Sequence, residues 1–172
     1  MAIMNMDRCV NPKPVTFIAP VDGLERGIFV EIVGMAKNNI FLANADDFEA
    51  YEVELADAET EVKNLLIHTT VPKQYDERLD ERDFVANEGA ICRGHYIQTG
   101  DEYTLPRTFV DGVEAVGDEV ALDADGKLAK VDGGASALAD GDEPAAAEGV
   151  AIGVVVKLYV WNGQESAMIR FY

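Results

Sequence analysis

Two histidines and two cysteines are the residues of this chain best suited to bind a metal ion. Cys92 and His95 form a Cys-x-x-His pair, and thiolate and imidazole are ligands that zinc prefers. A zinc site needs a second pair of ligands, and none stands at a usable spacing. His68 precedes two threonines and has no sequence neighbour suited to orient its ring. We therefore predict no metal ion, and we interpret His95 as a half-buried histidine beside a strand.

The sequence also lacks the residues that a nucleophilic active site or a calcium site requires. Ser136 and Ser166 stand in a loop and a hairpin, without the glycine-flanked elbow that positions a catalytic serine. Asp123 and Asp125 begin a pattern like that of a calcium loop, but the expected next ligand is Lys127. The glycines match no phosphate-binding or dinucleotide motif. We predict no catalytic residue and no cofactor, and an enzyme, such as a β-barrel hydrolase, ranks third among the possible functions.

The charge of the chain is strongly unbalanced. Its 172 residues include 32 acidic and 14 basic side chains, which gives a formal net charge of -18 at pH 7. Binding to nucleic acid or to anionic lipid needs clustered Lys and Arg, so we predict neither as a partner. We interpret the acidity as a source of solubility or an adaptation to high salt, and alternatively as the outer surface of an assembly component.

The cysteines and the pattern of apolar residues indicate the cellular compartment in which the protein is made. Cys9 and Cys92 are predicted to be free thiols, because a domain of this size needs no disulfide to stabilise its core. The first twenty residues lack the continuous apolar run of a signal peptide, and we find no membrane-spanning run. We therefore expect synthesis in the cytoplasm and no membrane partner.

Turn residues and alternating apolar residues divide the chain into strands. The copies of the phrase Gly-Asp-Glu at 100–102 and at 117–119 both precede a strand-like alternation. Asp125-Gly126 and Asn162-Gly163 are typical of two-residue hairpin turns, and strand-like segments flank both. We therefore predict a mainly β fold, a small antiparallel β-barrel or sandwich with an extended N-terminal arm and long loops.

Three parts are predicted, and together they should form one compact unit. They are an extended arm over 1–20, a β-rich part with an acidic and arginine-containing loop over 21–85, and a C-terminal β-barrel or sandwich part over 86–172. A terminal strand packed on a sheet is an equal alternative for the arm. Residues 26–44 predict two strands in a hairpin, the second at 40–43, and Tyr51 to Leu55 predicts a strand. Thr60 to Ile67 fits a short helix or a strand.

Two features predict a protein interface. Prolines in the arm favour an extended path, and the apolar residues of the arm lack an obvious local partner. Arg78 and Arg82 stand in a tandem Asp-Glu-Arg phrase, which is either a solvated loop or an exposed clamp for carboxylates of another subunit. The predicted interface residues are Pro12, Pro14, Val15, Phe17, Ile18, Arg78 and Arg82.

Three elements follow one another in the last third of the chain. They are the segment from Val116 to Val120, the segment from Asp125 to Leu128, and an Ala- and Gly-rich loop that leads into Gly149 to Val155. This order resembles that of the head decoration, or cement, proteins of tailed bacteriophages. The resemblance implies a non-enzymatic protein that binds the outside of a capsid at junctions between major capsid subunits.

The resemblance also sets expectations for partners and location. We expect the major capsid protein as partner, a homo-oligomer with a trimer favoured, and a place on the outer surface of the virion. A small protein that bridges capsid subunits stabilises the shell by binding only the assembled form. The alternative function is that of a virion-associated receptor- or glycan-binding β-module, which would present exposed aromatics such as Tyr103, Phe109 or Trp161.

Overall fold

The computed structural model describes residues 5–9, 13–36, 50–70, 85–131 and 150–172. Within these ranges the protein is mainly β, as the sequence predicts, and the helical segments are single 3-10 turns. No helix in this part of the chain is long and apolar enough to cross a membrane. The described strands form a closed barrel and a second sheet.

The barrel is built from strands of the first half of the chain. In barrel order they are β2 (Pro14–Ile18), β4 (Tyr51–Leu55), β3 (Phe29–Met35), β5 (Leu65–His68) and β6 (Ile91–Tyr96). Alternate side chains of each strand point inward, and Phe17, Val53 and Cys92 are buried there. Neighbouring strands are antiparallel except β2 and β4, which run parallel and share two register pairs.

The second sheet joins one amino-terminal strand to the second half of the chain. Its strands are β1 (Asn5–Arg8), β7 (Glu102–Pro106), β8 (Val110–Asp111), β9 (Glu119–Leu122), β10 (Leu128–Lys130), β11 (Gly153–Trp161) and β12 (Gln164–Phe171). Their order is β1-β7-β12-β11-β9-β10-β8, and only β8 and β10 pair in parallel among them. The long strands β11 and β12, which the sequence predicts as the last hairpin, lie at the centre of the sheet.

The repeated Gly-Asp-Glu phrase is a structural repeat as well as a sequence repeat. At 100–102 the glycine N–H donates to the Phe171 carbonyl (2.9 Å), and the Phe171 N–H donates to the aspartate carbonyl (2.9 Å). At 117–119 the same two bonds join the glycine and the aspartate to Val155, at 2.8 and 2.9 Å. Each phrase therefore anchors a turn on one of the two central strands and starts the strand beside it.

Both predicted hairpins are confirmed, but only Asn162-Gly163 is a two-residue turn. In the other hairpin Leu122 pairs with Leu128 and the Asp123 N–H donates to the Lys127 carbonyl (2.9 Å), which leaves a loop of three residues, 124–126. Asp125 (φ 62°) and Gly126 (φ 69°) join β9 to β10, while Asn162 (φ 47°) and Gly163 (φ 76°) join β11 to β12. In the Asn162-Gly163 turn, positive φ at both central residues is type I′ geometry, whose twist matches that of antiparallel strands. Glycine enters this region without strain, which explains why it stands second in both pairs.

The barrel and the second sheet share one apolar core. Phe29 meets Phe171 with ring centroids 5.9 Å apart, and Phe171 meets Tyr103 at the same distance. These three side chains are at most 1% exposed. The turn between β9 and β10 also reaches the barrel, because the Gly126 N–H donates to the Ala56 carbonyl at 2.8 Å. Side-chain packing and backbone hydrogen bonds therefore join the two halves.

The amino-terminal segment consists of strands rather than a free arm. β1 pairs with β7 at an edge of the second sheet, and β2 is part of the closed barrel. The alternative prediction, a terminal strand packed on a sheet, describes these residues. The arm prediction was wrong for them because Phe17 finds its partners far along the chain, including the ring of His68 at 5.6 Å.

The remaining strand predictions have mixed outcomes. Tyr51 to Leu55 is confirmed as β4, and Thr60 to Ile67 contains both alternatives, a 3-10 turn (Val62–Asn64) followed by β5. The barrel lies before residue 97 rather than in the 86–172 part, because β6 pairs with β2 and β5. The strand predicted at 40–43 lies outside the described residues.

Replacing Phe17 with Ala should lower the free energy of unfolding by about 3 to 5 kcal/mol, because it empties a fully buried aromatic position. Ile18→Ala, one residue further along β2 and only half-buried, should cost clearly less. Urea unfolding followed by tryptophan fluorescence measures both losses. Small and equal losses would mean that the segment is a contact arm and not a barrel strand.

Gly126→Ala and its control Gly163→Ala test the contact between the β9–β10 turn and the barrel. At Gly126 a Cβ would collide with the Phe29 carbonyl and lie 2.7 Å from Ile28 Cγ2, whereas at Gly163 nothing lies within 4 Å. We expect Gly163→Ala to cost about 1 kcal/mol from backbone strain, and Gly126→Ala about 3 kcal/mol, since a clash adds to the strain. Equal losses of thermal stability in the two variants would show that Gly126 is not packed closely against Phe29 and Ile28.

Candidate functional site

The predicted interface residues are only partly available for contact. Three of them, Pro12, Arg78 and Arg82, lie outside the described residues. Phe17 is wholly buried and so has no exposed surface to offer a partner, whereas Val15 packs half-buried against the core and its place in an interface stays a prediction. They alternate inward along β2, while Pro14 and Ile18 lie on the other face of the strand. Proline is tolerated at Pro14 because it begins the strand.

A cleft of about 650 Å³ opens in the barrel wall where β2 and β4 separate. The two strands pair through Phe17 and Ile18, after which β2 ends and the chain bends at Pro20. Two backbone bonds of 2.9 Å hold the bend: the Ala19 N–H donates to the Ala90 carbonyl, and the Gly89 N–H donates to the Ala19 carbonyl. These bonds fix the side of the cleft that β2 and residues 89–90 form.

The floor and the rim of the cleft differ in character. Ile18, Val33 and Val53 supply apolar surface, and Val33 is 53% exposed. Val33 is the extra residue of a β-bulge against β4, and it points outward because the preceding Ile32 packs against the core. The rim carries the carboxylates Glu52, Glu54 and Glu88, all exposed. Sequence analysis missed this site except for Ile18, because the cleft joins segments that are distant along the chain.

The charge that lines the cleft is acidic. Glutamates are the only charged residues among those described that line it. A partner segment that offers an apolar side chain to the floor and Lys or Arg to the rim would complement it. Rim charges of this kind act mainly on association rate and partner choice, while apolar burial supplies most of the affinity.

His68 is a buried histidine with a structural role. Its Nδ1 lies 2.8 Å from the Glu25 carbonyl and its Nε2 lies 2.8 Å from the Thr70 hydroxyl. The same hydroxyl accepts the Arg93 N–H at 2.8 Å. Burial lowers the pKa of His68 to about 4, aided by the nearby Arg26 charge and opposed by the bond to Glu25. The neutral ring therefore donates to Glu25, accepts from Thr70 and links the turn before β3 to β5.

The Cys-x-x-His pair does not converge on a metal. Residues three apart on a strand face opposite sides, so Cys92 points into the barrel while His95 lies half-buried outside it, as the sequence predicts for this histidine. Burial raises the pKa of the Cys92 thiol and lowers the pKa of His95, the latter against the opposing charge of Asp101. In the part of the chain that the structure describes, no group of three potential metal ligands comes together.

The aromatics named for a glycan-binding surface are mostly internal. Tyr103 is 0% exposed and Phe109 is 4% exposed, so neither can stack on a sugar, and their assignment as exposed aromatics was wrong. Both belong to the buried core: Tyr103 lies in β7, and Phe109 lies in the 3-10 turn (Arg107–Phe109) that follows this strand. Cys9, a free thiol, donates to the Tyr103 hydroxyl at 3.4 Å. Trp161 is half-buried and pairs with Tyr159.

We compared the sequence with protein-family models and with curated proteins. The sequence matches no protein-family model and no curated protein.

His68 should make the protein less stable in acid. The pKa of its ring is about 4 in the folded protein and 6.5 in a short unstructured peptide, so the unfolded state takes up a proton first as the pH falls. Stability from this group is therefore complete above pH 6.5 and declines by about 3 kcal/mol towards pH 4. Urea unfolding across this range should show a flatter dependence for His68→Gln than for the wild type. Parallel curves for the two proteins would exclude His68 as the source of the loss of stability in acid.

Proposed function

We propose that the protein is a non-enzymatic decoration protein that binds the outer surface of a bacteriophage capsid and bridges major capsid subunits. The barrel cleft is the surface on which it docks. The segment of the capsid protein that enters the cleft carries an apolar side chain flanked by Lys or Arg.

The observation that carries this proposal is an apolar floor held open within an acidic rim. Val33 follows the inward-facing Ile32 on β3 and therefore points outward, which exposes a large aliphatic side chain beside the half-buried Ile18. Exposed apolar surface in a concave, polar-rimmed setting is typical of a protein interaction site. A rim formed by Glu52, Glu54 and Glu88 selects a basic partner and disfavours acidic ones.

Two further features support the proposal. The resemblance of the last third of the chain to phage decoration proteins rests on strands that are central to the second sheet, and on the turn that contacts the barrel. The net charge of -18 suits a protein whose remaining surface faces solvent and whose copies must not aggregate. Binding at many equivalent positions of a shell would amplify a modest affinity at each one, provided that copies are linked.

Sedimentation with expanded empty capsids of the major capsid protein from the same virus tests the proposal. Wild-type protein should pellet with capsids and remain in solution without them. Val33→Glu should weaken binding roughly tenfold or more, because a charge replaces the apolar contact and adds to the acidic rim. Val62→Glu is the matched control, since Val62 is also an exposed valine (46%) but does not line the cleft.

Three results would contradict the proposal. The wild-type protein could remain in the supernatant at every capsid concentration. The two valine variants could lose binding equally, which would make added charge and not the cleft responsible. Binding could also strengthen as salt is added, whereas attraction between the glutamate rim and a basic segment must weaken under screening.

A further inference from the structure

The β11–β12 hairpin extends past both of its neighbours in the second sheet. β9 pairs with β11 only at Gly153 and Val154, and β7 pairs with β12 no nearer the turn than Ser166. Among the described strands, none pairs with the stretch 156–161 on the side away from β12. An exposed strand edge of this kind is a template for pairing with another chain.

The register of the hairpin identifies the backbone groups at this edge. A two-residue turn makes Trp161 and Gln164 a hydrogen-bonded pair, so Tyr159 also directs its backbone groups towards β12. Leu158 and Val160 alternate with these residues and direct their N–H and C=O groups away from β12. A recess of about 290 Å³ lies against these two residues, and Arg107, Glu114, Glu165 and Ser166 also line it.

The side chains along the edge form a supported aromatic strip with one cation. The Tyr159 hydroxyl is held by a 2.6 Å hydrogen bond with Thr104. Trp161 meets the Tyr159 ring edge to face at a centroid distance of 6.3 Å, and Lys157 Nζ lies 4.5 Å from the same ring. Aliphatic residues alternate with this strip, and one of them, Val160, is 65% exposed.

We infer that this edge pairs antiparallel with the same edge of a second copy of the chain, about a two-fold axis at Tyr159. In that register Leu158 lies opposite Val160 of the second copy, and each such pair exchanges both backbone hydrogen bonds. Lys157 lies opposite Trp161 of the second copy, where an ammonium binds over an indole face. The edge is therefore complementary to itself, as a two-fold interface requires.

Charge favours a second copy as the occupant. Residues 149–164 contain no Asp or Glu, although the chain carries 32 acidic residues. Two chains of net charge -18 can therefore pair these strands without opposing carboxylates on the strands themselves. Glu165, across from Val160 on β12, lies one strand further from the second copy. The inference goes beyond the proposed function and does not depend on capsid binding.

Analytical ultracentrifugation with two proline variants tests the pairing. The wild type should form a dimer of twice the 18.7 kDa chain mass at micromolar concentration. Val160→Pro removes an N–H that faces the edge, so it should raise the dimer dissociation constant roughly tenfold or more. Glu165→Pro is the matched control: Glu165 is the cross-strand partner of Val160, and its N–H faces the opposite edge of the hairpin. This variant should dimerise like the wild type.

A cysteine cross-link tests the register without proline. In a Cys9→Ser background, Tyr159→Cys should oxidise to a disulfide-linked dimer, because residues that face each other in this register have Cα atoms about 4.5 Å apart. Trp161→Cys should not, since its copies would lie several residues apart. A wild-type protein that remains monomeric at 100 micromolar, on the order of ordinary structural samples, would overturn the inference. The inference would also be overturned if Val160→Pro left an oligomer of any size intact. Equal cross-linking of Tyr159→Cys and Trp161→Cys would overturn it too.

Discussion

The contact between Phe29 of the barrel and Phe171 of the second sheet is the interaction on which the rest of the structure depends. It lies where each half has a buried face to cover, and Tyr103 extends the same aromatic contact into β7. The backbone reinforces it, because the Ala56 N–H donates to the Phe29 carbonyl (3.1 Å) and the Gly126 N–H donates to the Ala56 carbonyl. Neither half covers its apolar face alone, so the barrel and the sheet stabilise each other.

This joint gives the two proposed surfaces a common support. The cleft lies in the barrel wall and the free strand edge lies on the second sheet, and both belong to elements that share the core. A copy bound through its cleft therefore presents its β11 edge in a defined orientation. Pairing of two bound copies would then add attachment through linkage, without a new contact to the shell. The acidic surface elsewhere opposes indiscriminate association and leaves the acid-free edge as the favoured meeting point.

The sequence predicted local structure such as turns, but it could not predict which strands pair across long distances along the chain. Asp125-Gly126 and Asn162-Gly163 identify their turns because positive φ is a property of the residues themselves. Phe17 was misjudged because its burial depends on β6 and β5. Thr70 was overlooked beside His68 because the strand ends between them and brings the hydroxyl back to the ring. In the candidate site only Ile18 could be named, since the cleft brings together segments that are distant along the chain.

The barrel and the second sheet fold as one unit through the contact between Phe29 and Phe171. Differential scanning calorimetry of the whole chain tests it most directly. We predict a single unfolding transition whose calorimetric and van't Hoff enthalpies agree, because neither half has a separate core. Two resolved transitions, or a calorimetric enthalpy well above the van't Hoff value, would show that the halves unfold independently and would contradict the account.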